Sequence, residues 1–156
     1  QALHELDGKE FKSVSDDDAL PETDEEKAEA EKKTEENKDV LDFVKEALEG
    51  KIKEARISKI LKSGAVCLTV DGPMSVEMAK YFMKMAPESV GDIKAEQVLE
   101  LNPDSGAFAA LRDAVENDKE KARQYAELLY DQALLIAGLP LEDPVAYSQL
   151  VCSLMK

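Results

Sequence analysis

The sequence predicts an α+β fold: a small three-stranded sheet with flanking helices, followed by a C-terminal helix pair. Three observations predict it. Runs of β-like composition at KIKEARIS (51–58), AVCLTV (65–70) and EQVLELN (96–102) are set apart by turn residues such as Gly64 and by one helical segment. Apolar residues recur at helical spacing before, between and after these runs. Residues 128–155 hold 18 apolar and only 3 charged side chains, more apolar surface than a small sheet can cover.

At the front, LHELDGKEFKSV places Asp7-Gly8 between short alternating segments, a hairpin signal. With no strand nearby to complete a sheet, residues 1–20 read as the remnant of a preceding domain. Residues 21–39 read as an acidic linker or polar helix, with Thr23 and Glu26 placed for a capping box. The folded body is expected over 40–156. It opens with Val40, Leu41, Val44, Ala47 and Leu48 on one helix face, stopped by Gly50.

Between the second and third strands, MSVEMAKYFMKMAP (74–87) reads as a helix. Met74, Met78, Tyr81, Phe82 and Met85 form one stripe, and Val76, Ala79 and Met83 form a second apolar line. Two readings stay open from spacing alone. Both lines are core, or the Met-rich stripe is an exposed adhesive face, for which flexible and polarizable Met is well suited.

After the sheet, Asn117 or Asp118 caps a helix running to Ala137, with Glu120 placed for a capping box. Ala122, Tyr125, Ala126 and Leu129 make its first half amphipathic. Its second half is apolar nearly all round, and such a helix is buried nearly all round. Gly138 supplies a left-handed stop, and Asp143-Pro144 supplies an N-cap with proline at the first helical position. The last helix shows Tyr147, Leu150, Val151 and Leu154 on one face, widened by Val145 and Cys152. A second copy solves the covering problem, since helix pairs from two protomers make an intersubunit four-helix bundle burying about 1,200–2,000 Å². The candidate dimer interface is Leu128, Leu129, Ala133, Leu134, Leu135, Ile136, Leu139, Tyr147, Leu150, Val151 and Leu154. The competing arrangement folds the pair back on its own sheet.

Composition argues against several function classes. The 34 acidic and 20 basic residues give a net charge of −14, repulsive toward phosphate backbones and anionic headgroups, so neither nucleic acid nor membrane is an expected partner. The charge is concentrated in residues 1–49, which hold 18 acids and 7 bases. No apolar run is long enough to span a bilayer. Cys67 and Cys152 have no ligand spacing and lie in apolar runs, so both are expected to be buried structural thiols in a reducing cytoplasm. The one histidine, His4, lies in the expected remnant, and no phosphate-binding glycine motif or zinc ligand cluster occurs. No catalytic residue and no metal or cofactor site is expected. The pattern points to interaction rather than catalysis, with a freestanding dimeric adaptor that binds a partner through its Met-rich helix as one form of it. The start at Gln1 suggests a piece of a longer protein.

At LELNP (99–103) followed by ELLYDQALLIAGLPLEDPVAYSQLV (127–151), the sequence closely resembles the C-terminal domain of the ninety-kilodalton heat-shock chaperone family, of the bacterial HtpG type. ELDGKEFKSV (5–14), ARISKILKSGAVCLTV (55–70) and MSVEMAK (74–80) extend the likeness over nearly the whole chain. The resemblance implies the constitutive dimerisation domain, over 40–156, of a V-shaped stress-response chaperone. Its last two helices would form the four-helix bundle. It further implies that Met74, Met78, Tyr81, Phe82 and Met85 face unfolded or partly folded client proteins. In the family, ATP with its magnesium is bound and hydrolysed by an N-terminal domain, so this fragment is expected to have no ATPase activity of its own. Two departures follow. Ser105-Gly106 stands where the family commonly has His-Pro, implying a looser start to the next helix, and the SLMK end lacks both the acidic tail read by tetratricopeptide co-chaperones and an endoplasmic-reticulum retention signal. A cytoplasmic bacterial protein is expected.

Overall fold

The computed structural model describes residues 5–6, 9–10, 32–59, 61, 63–71, 76–85 and 96–155. The expected capping box at Thr23 and Glu26 lies outside them. β1 (Glu5–Leu6) and β2 (Lys9–Glu10) pair antiparallel with Leu6 opposite Lys9, the hairpin pairing that Asp7-Gly8 predicts. Residues 32–36 are helical and lead through Asn37 into α1 (Lys38–Ala47). Asn37 is buried and its side-chain amide donates to the Lys33 carbonyl at 2.7 Å, which holds the two helical pieces together. Val40, Leu41 and Val44 form the inward stripe of α1. Gly50 follows at φ 80°, a left-handed turn that a side chain would strain.

The sheet contains β3 (Glu54–Ile57), β4 (Val66–Val70) and β5 (Gln97–Leu101) in the order β3-β5-β4. The last strand is central, parallel to β3 and antiparallel to β4. The chain makes room for it by leaving the sheet after Asp71 and returning at Glu96, and α2 (Val76–Met85) lies in that excursion. The neck is closed by the Asp71 amide donating to the Glu96 carbonyl at 2.8 Å. Lys53 spans the same neck, its ammonium 2.8 Å from Asp71 and 2.9 Å from Glu96. Those two hydrogen bonds raise the Lys53 pKa above the ordinary lysine value.

Pairing register gives the sheet two unlike faces, because partners across a ladder point the same way. One carries Ala55, Ile57, Val66, Leu68, Leu99 and Leu101, all buried in the main core. The other carries Arg56, Cys67 and Glu100 in one row and Val98 with Thr69 in the next. All five residues of β5 are buried, as a central strand covered on both faces should be.

Three helices follow: α3 (Gly106–Asn117), α4 (Lys119–Ala137) and α5 (Pro144–Leu154). The start of α3 is capped rather than loose. The Ser105 hydroxyl accepts from the Phe108 amide at 3.1 Å and donates to the Asn102 carbonyl at 2.8 Å. Asn102 is itself pinned, donating to the Gly64 carbonyl and accepting from the Asp104 amide. Asp118 caps α4 by accepting from the Lys121 amide. That makes Lys121 the third helical residue and leaves Glu120 one position short of the expected capping box, which required Asn117 as the cap. α4 packs along β4 and against α3 and α1, and places Tyr130 fully buried against the sheet. The Tyr130 hydroxyl meets the buried Gln97 side chain at 3.2 Å, and burial pushes the phenol up to about 12.

Candidate interaction surfaces

α5 is built from mostly apolar residues, yet none of its 11 residues is buried. Its start is sound: Asp143 accepts from the Val145 and Ala146 amides at 3.0 and 2.9 Å, and Pro144 needs no donor at that position. It packs along α4. Tyr147, Leu150, Val151 and Leu154 are half-buried, while Val145 is 65% exposed. Cys152 is exposed, contrary to the expected buried thiol, because nothing within the described residues covers that side of α5.

α4 divides the candidate interface in two. Leu129, Ala133 and Leu134, with Leu139 just beyond the helix, are buried in the chain's own core. Leu128 and Leu135 fall at i and i+7 on a different stripe, where Leu128 is half-buried and Leu135 is exposed, and Ile136, i+7 from Leu129 but at the helix end, adds to this outer surface at 67% exposure. The inner stripe therefore folds back on the sheet as one of the two arrangements anticipated. The outer stripe and α5 do not. The members of the candidate interface left exposed or half-buried are Leu128, Leu135, Ile136, Tyr147, Leu150, Val151 and Leu154.

On α2, Met78, Tyr81 and Met85 occupy i, i+3 and i+7 and all face solvent, Tyr81 at 62% and Met85 at 67% exposure. Ala79 is fully buried, and α2 packs against β4. Met74 and the side chain of Phe82 lie outside the described residues. The described members of the Met-rich stripe are thus exposed rather than core. Next to them, Lys80 pairs with Glu77 and reaches the end of α4 at Gly138.

The polar groups are arranged for structure. Glu100 is buried on the polar face of the sheet and accepts from Arg56 at 3.3 Å and from the Ser58 hydroxyl at 2.9 Å. The Cys67 thiol lies 3.6 Å from the same carboxylate. Burial, and then the Glu100 charge, push that thiol up to about 12, so it stays protonated and weakly nucleophilic at neutral pH. Cys67 is half-buried rather than buried because the register puts it in the polar row. Asp131, on α4, is raised above the usual carboxylate range by burial, against the opposing pull of Lys51. Among the described residues no group of three or more metal-ligating side chains occurs, and no helix is long and apolar enough to cross a membrane.

Sequence reasoning missed the Lys53 clasp, the Glu100 cluster and the reach of Lys80. None has a local signal, since each joins residues from separate elements that only the fold brings together.

Similarity to known proteins is extensive. The chain is 52% identical over 148 residues to the chaperone protein HtpG of Clostridium acetobutylicum, covering 95% of this chain and 23% of that protein. It is 48% identical over 153 residues to HtpG of Shouchella clausii, covering 98% of this chain and 24% of the relative. Against HtpG of Bacillus subtilis it is 48% identical over 147 residues, 94% of this chain and 23% of the relative. It thus spans about a quarter of the length of these relatives. The Hsp90 protein family model matches residues 1–156, and with these identities the chain belongs to the Hsp90 protein family.

Proposed function

We propose that this chain is the C-terminal dimerisation and client-contact domain of an ATP-dependent molecular chaperone acting in the bacterial cytoplasm. The observation that carries the proposal is α5, an apolar helix without a buried residue. Leaving Tyr147, Leu150, Val151 and Leu154 half wet forfeits about 25 cal/mol for each Å² that a partner could cover. A second copy supplies that cover through a four-helix bundle with the outer stripe of α4, and two-fold symmetry makes one patch complementary to itself. The relatives named as chaperones support the biological role. Client proteins are held by the exposed face of α2, where Met78, Tyr81 and Met85 offer adaptable apolar contact to sequences that share only exposed hydrophobic groups. Nucleotide hydrolysis belongs to another domain of the longer protein, and this one joins two copies of it.

Sedimentation equilibrium tests the dimer. The chain is expected to be dimeric at micromolar concentration, and Leu135→Asp to be monomeric, because it sets an unpaired charge in a drying interface at a cost of several kcal/mol. A wild-type monomer overturns the proposal. The client face is tested separately in the full-length chaperone. Met78→Lys with Phe82→Lys should cut suppression of client aggregation severalfold while the dimer persists. Undiminished suppression would remove α2 from client contact.

A further inference from the structure

We infer that Lys80 is a positioning residue that ties α2 to the C-terminal end of α4, so that placement of the client-contact helix and integrity of the dimer helix depend on each other. The inference rests on the function proposed above. α4 has no basic residue in its last turn. The carbonyls at a helix end carry a partial negative charge, about half an elementary charge in total, that a nearby cation stabilises. Two backbone amides answer part of it: Gly138, at φ 70°, turns its N–H back toward Leu134 and Leu135, and the Leu139 amide donates to the Leu134 carbonyl at 2.9 Å.

A cation from another element stands beside this end. Cε and Nζ of Lys80 both lie 3.4 Å from the point a Cβ on Gly138 would occupy. Only 26% of the Lys80 side chain is exposed, unusual for a lysine, so its stem is laid against protein while its ammonium also pairs with Glu77 on the preceding turn of α2. Holding so flexible a side chain costs rotamer entropy, which the contacts at its tip must offset. Gly138 suits this turn because its positive φ is open to glycine at little cost, and a Cβ there would stand in ordinary contact with the end of Lys80.

The consequence follows from what each helix carries. The last turns of α4 hold Leu135 and Ile136, which face the proposed partner. α2 turns buried Ala79 and mostly covered Lys80 inward and Met78, Tyr81 and Met85 outward. When the end of α4 is ordered by a second copy, the anchor for Lys80 is fixed. When it frays, α2 loses a point of attachment.

The test uses the whole chain with two measurements: the dimer dissociation constant by sedimentation and amide exchange across residues 76–85 by mass spectrometry. Lys80→Met, and Lys80→Gln beside it, should raise the dissociation constant roughly two- to fivefold, the scale of a charge at a helix end, and speed exchange in α2. Lys80→Arg should restore both. Leu135→Asp should speed α2 exchange in the otherwise wild-type chain and add little on top of Lys80→Met. Unchanged dissociation and exchange in both neutral variants overturns the inference. So does a loss that Lys80→Arg fails to restore, which would mark plain packing. A wild-type chain that is monomeric at micromolar concentration overturns the proposed function instead.

Discussion

Cys67 and Cys152 look alike in sequence, each inside an apolar run, yet the fold gives them opposite chemistry. Cys67 points from β4 into the row shared with Arg56 and Glu100, where burial and a neighbouring carboxylate hold the proton on sulfur. Cys152 lies on α5, exposed. A thiol reagent at pH 8 should therefore label Cys152 at least tenfold faster than Cys67 in the monomeric Leu135→Asp variant, and slower in the wild type if the second copy shields α5. Equal rates for the two thiols would contradict the placement of Cys67. The pH dependence has a definite sign. The Cys67 pKa is higher folded than unfolded, so its contribution to stability is complete below pH 9 and is lost as the pH rises toward 12. Replacing Cys67 by Ala should remove that alkaline component from the stability profile.

The helices show which features a sequence declares and which it withholds. Gly138 as a left-handed stop and Asp143-Pro144 as a start are local chemistry, legible because each is settled by a residue and its immediate neighbours. The three strands were legible as segments for the same reason. Their order was not, because β5 enters between β3 and β4 through pairings across more than 25 residues that leave no mark in any one run. The apolar second half of α4 was expected to be buried nearly all round, but Leu135 and Ile136 are exposed in the chain itself. Its division into a core stripe at Leu129, Ala133 and Leu134 and an outer surface at Leu128, Leu135 and Ile136 needed the sheet's position. The cap of α5 yields a prediction at this scale. Asp143→Ala removes two amide partners at the start of a helix that its own core does not hold, so α5 should lose about 1 kcal/mol of local stability. Because the dimer must then reorder that turn in both copies, its dissociation constant should rise by up to about thirtyfold with the core unchanged. A variant that loses thermal stability as a monomer but dimerises normally would place α5 away from the interface.

At the scale of the molecule, the proposed association must overcome charge, since each copy carries −14. The sequence places the charge where it interferes least. Residues 1–49 hold 18 acids against 7 bases, while 128–155 contain three charged side chains, all acidic, so the surfaces proposed to meet carry little of the charge. Salt of about 0.1 M screens the remaining repulsion beyond about 10 Å. If unfolding and dissociation are one transition, the midpoint depends on concentration by mass action, because dilution favours the separated chains. A hundredfold dilution changes the balance by about 2.7 kcal/mol of dimer. Divided by an unfolding entropy of about 2.1 cal/mol/K per residue over both chains, this lowers the midpoint by roughly 4 °C. Scanning calorimetry of the wild-type chain at about 100 μM and fluorescence melting at about 1 μM should show that displacement, and Leu135→Asp should abolish it, melting at one temperature throughout. A wild-type midpoint that ignores concentration would mean that the core formed by α4 and the sheet melts without reference to a partner. The exposed outer stripe would then contribute nothing to holding the fold together.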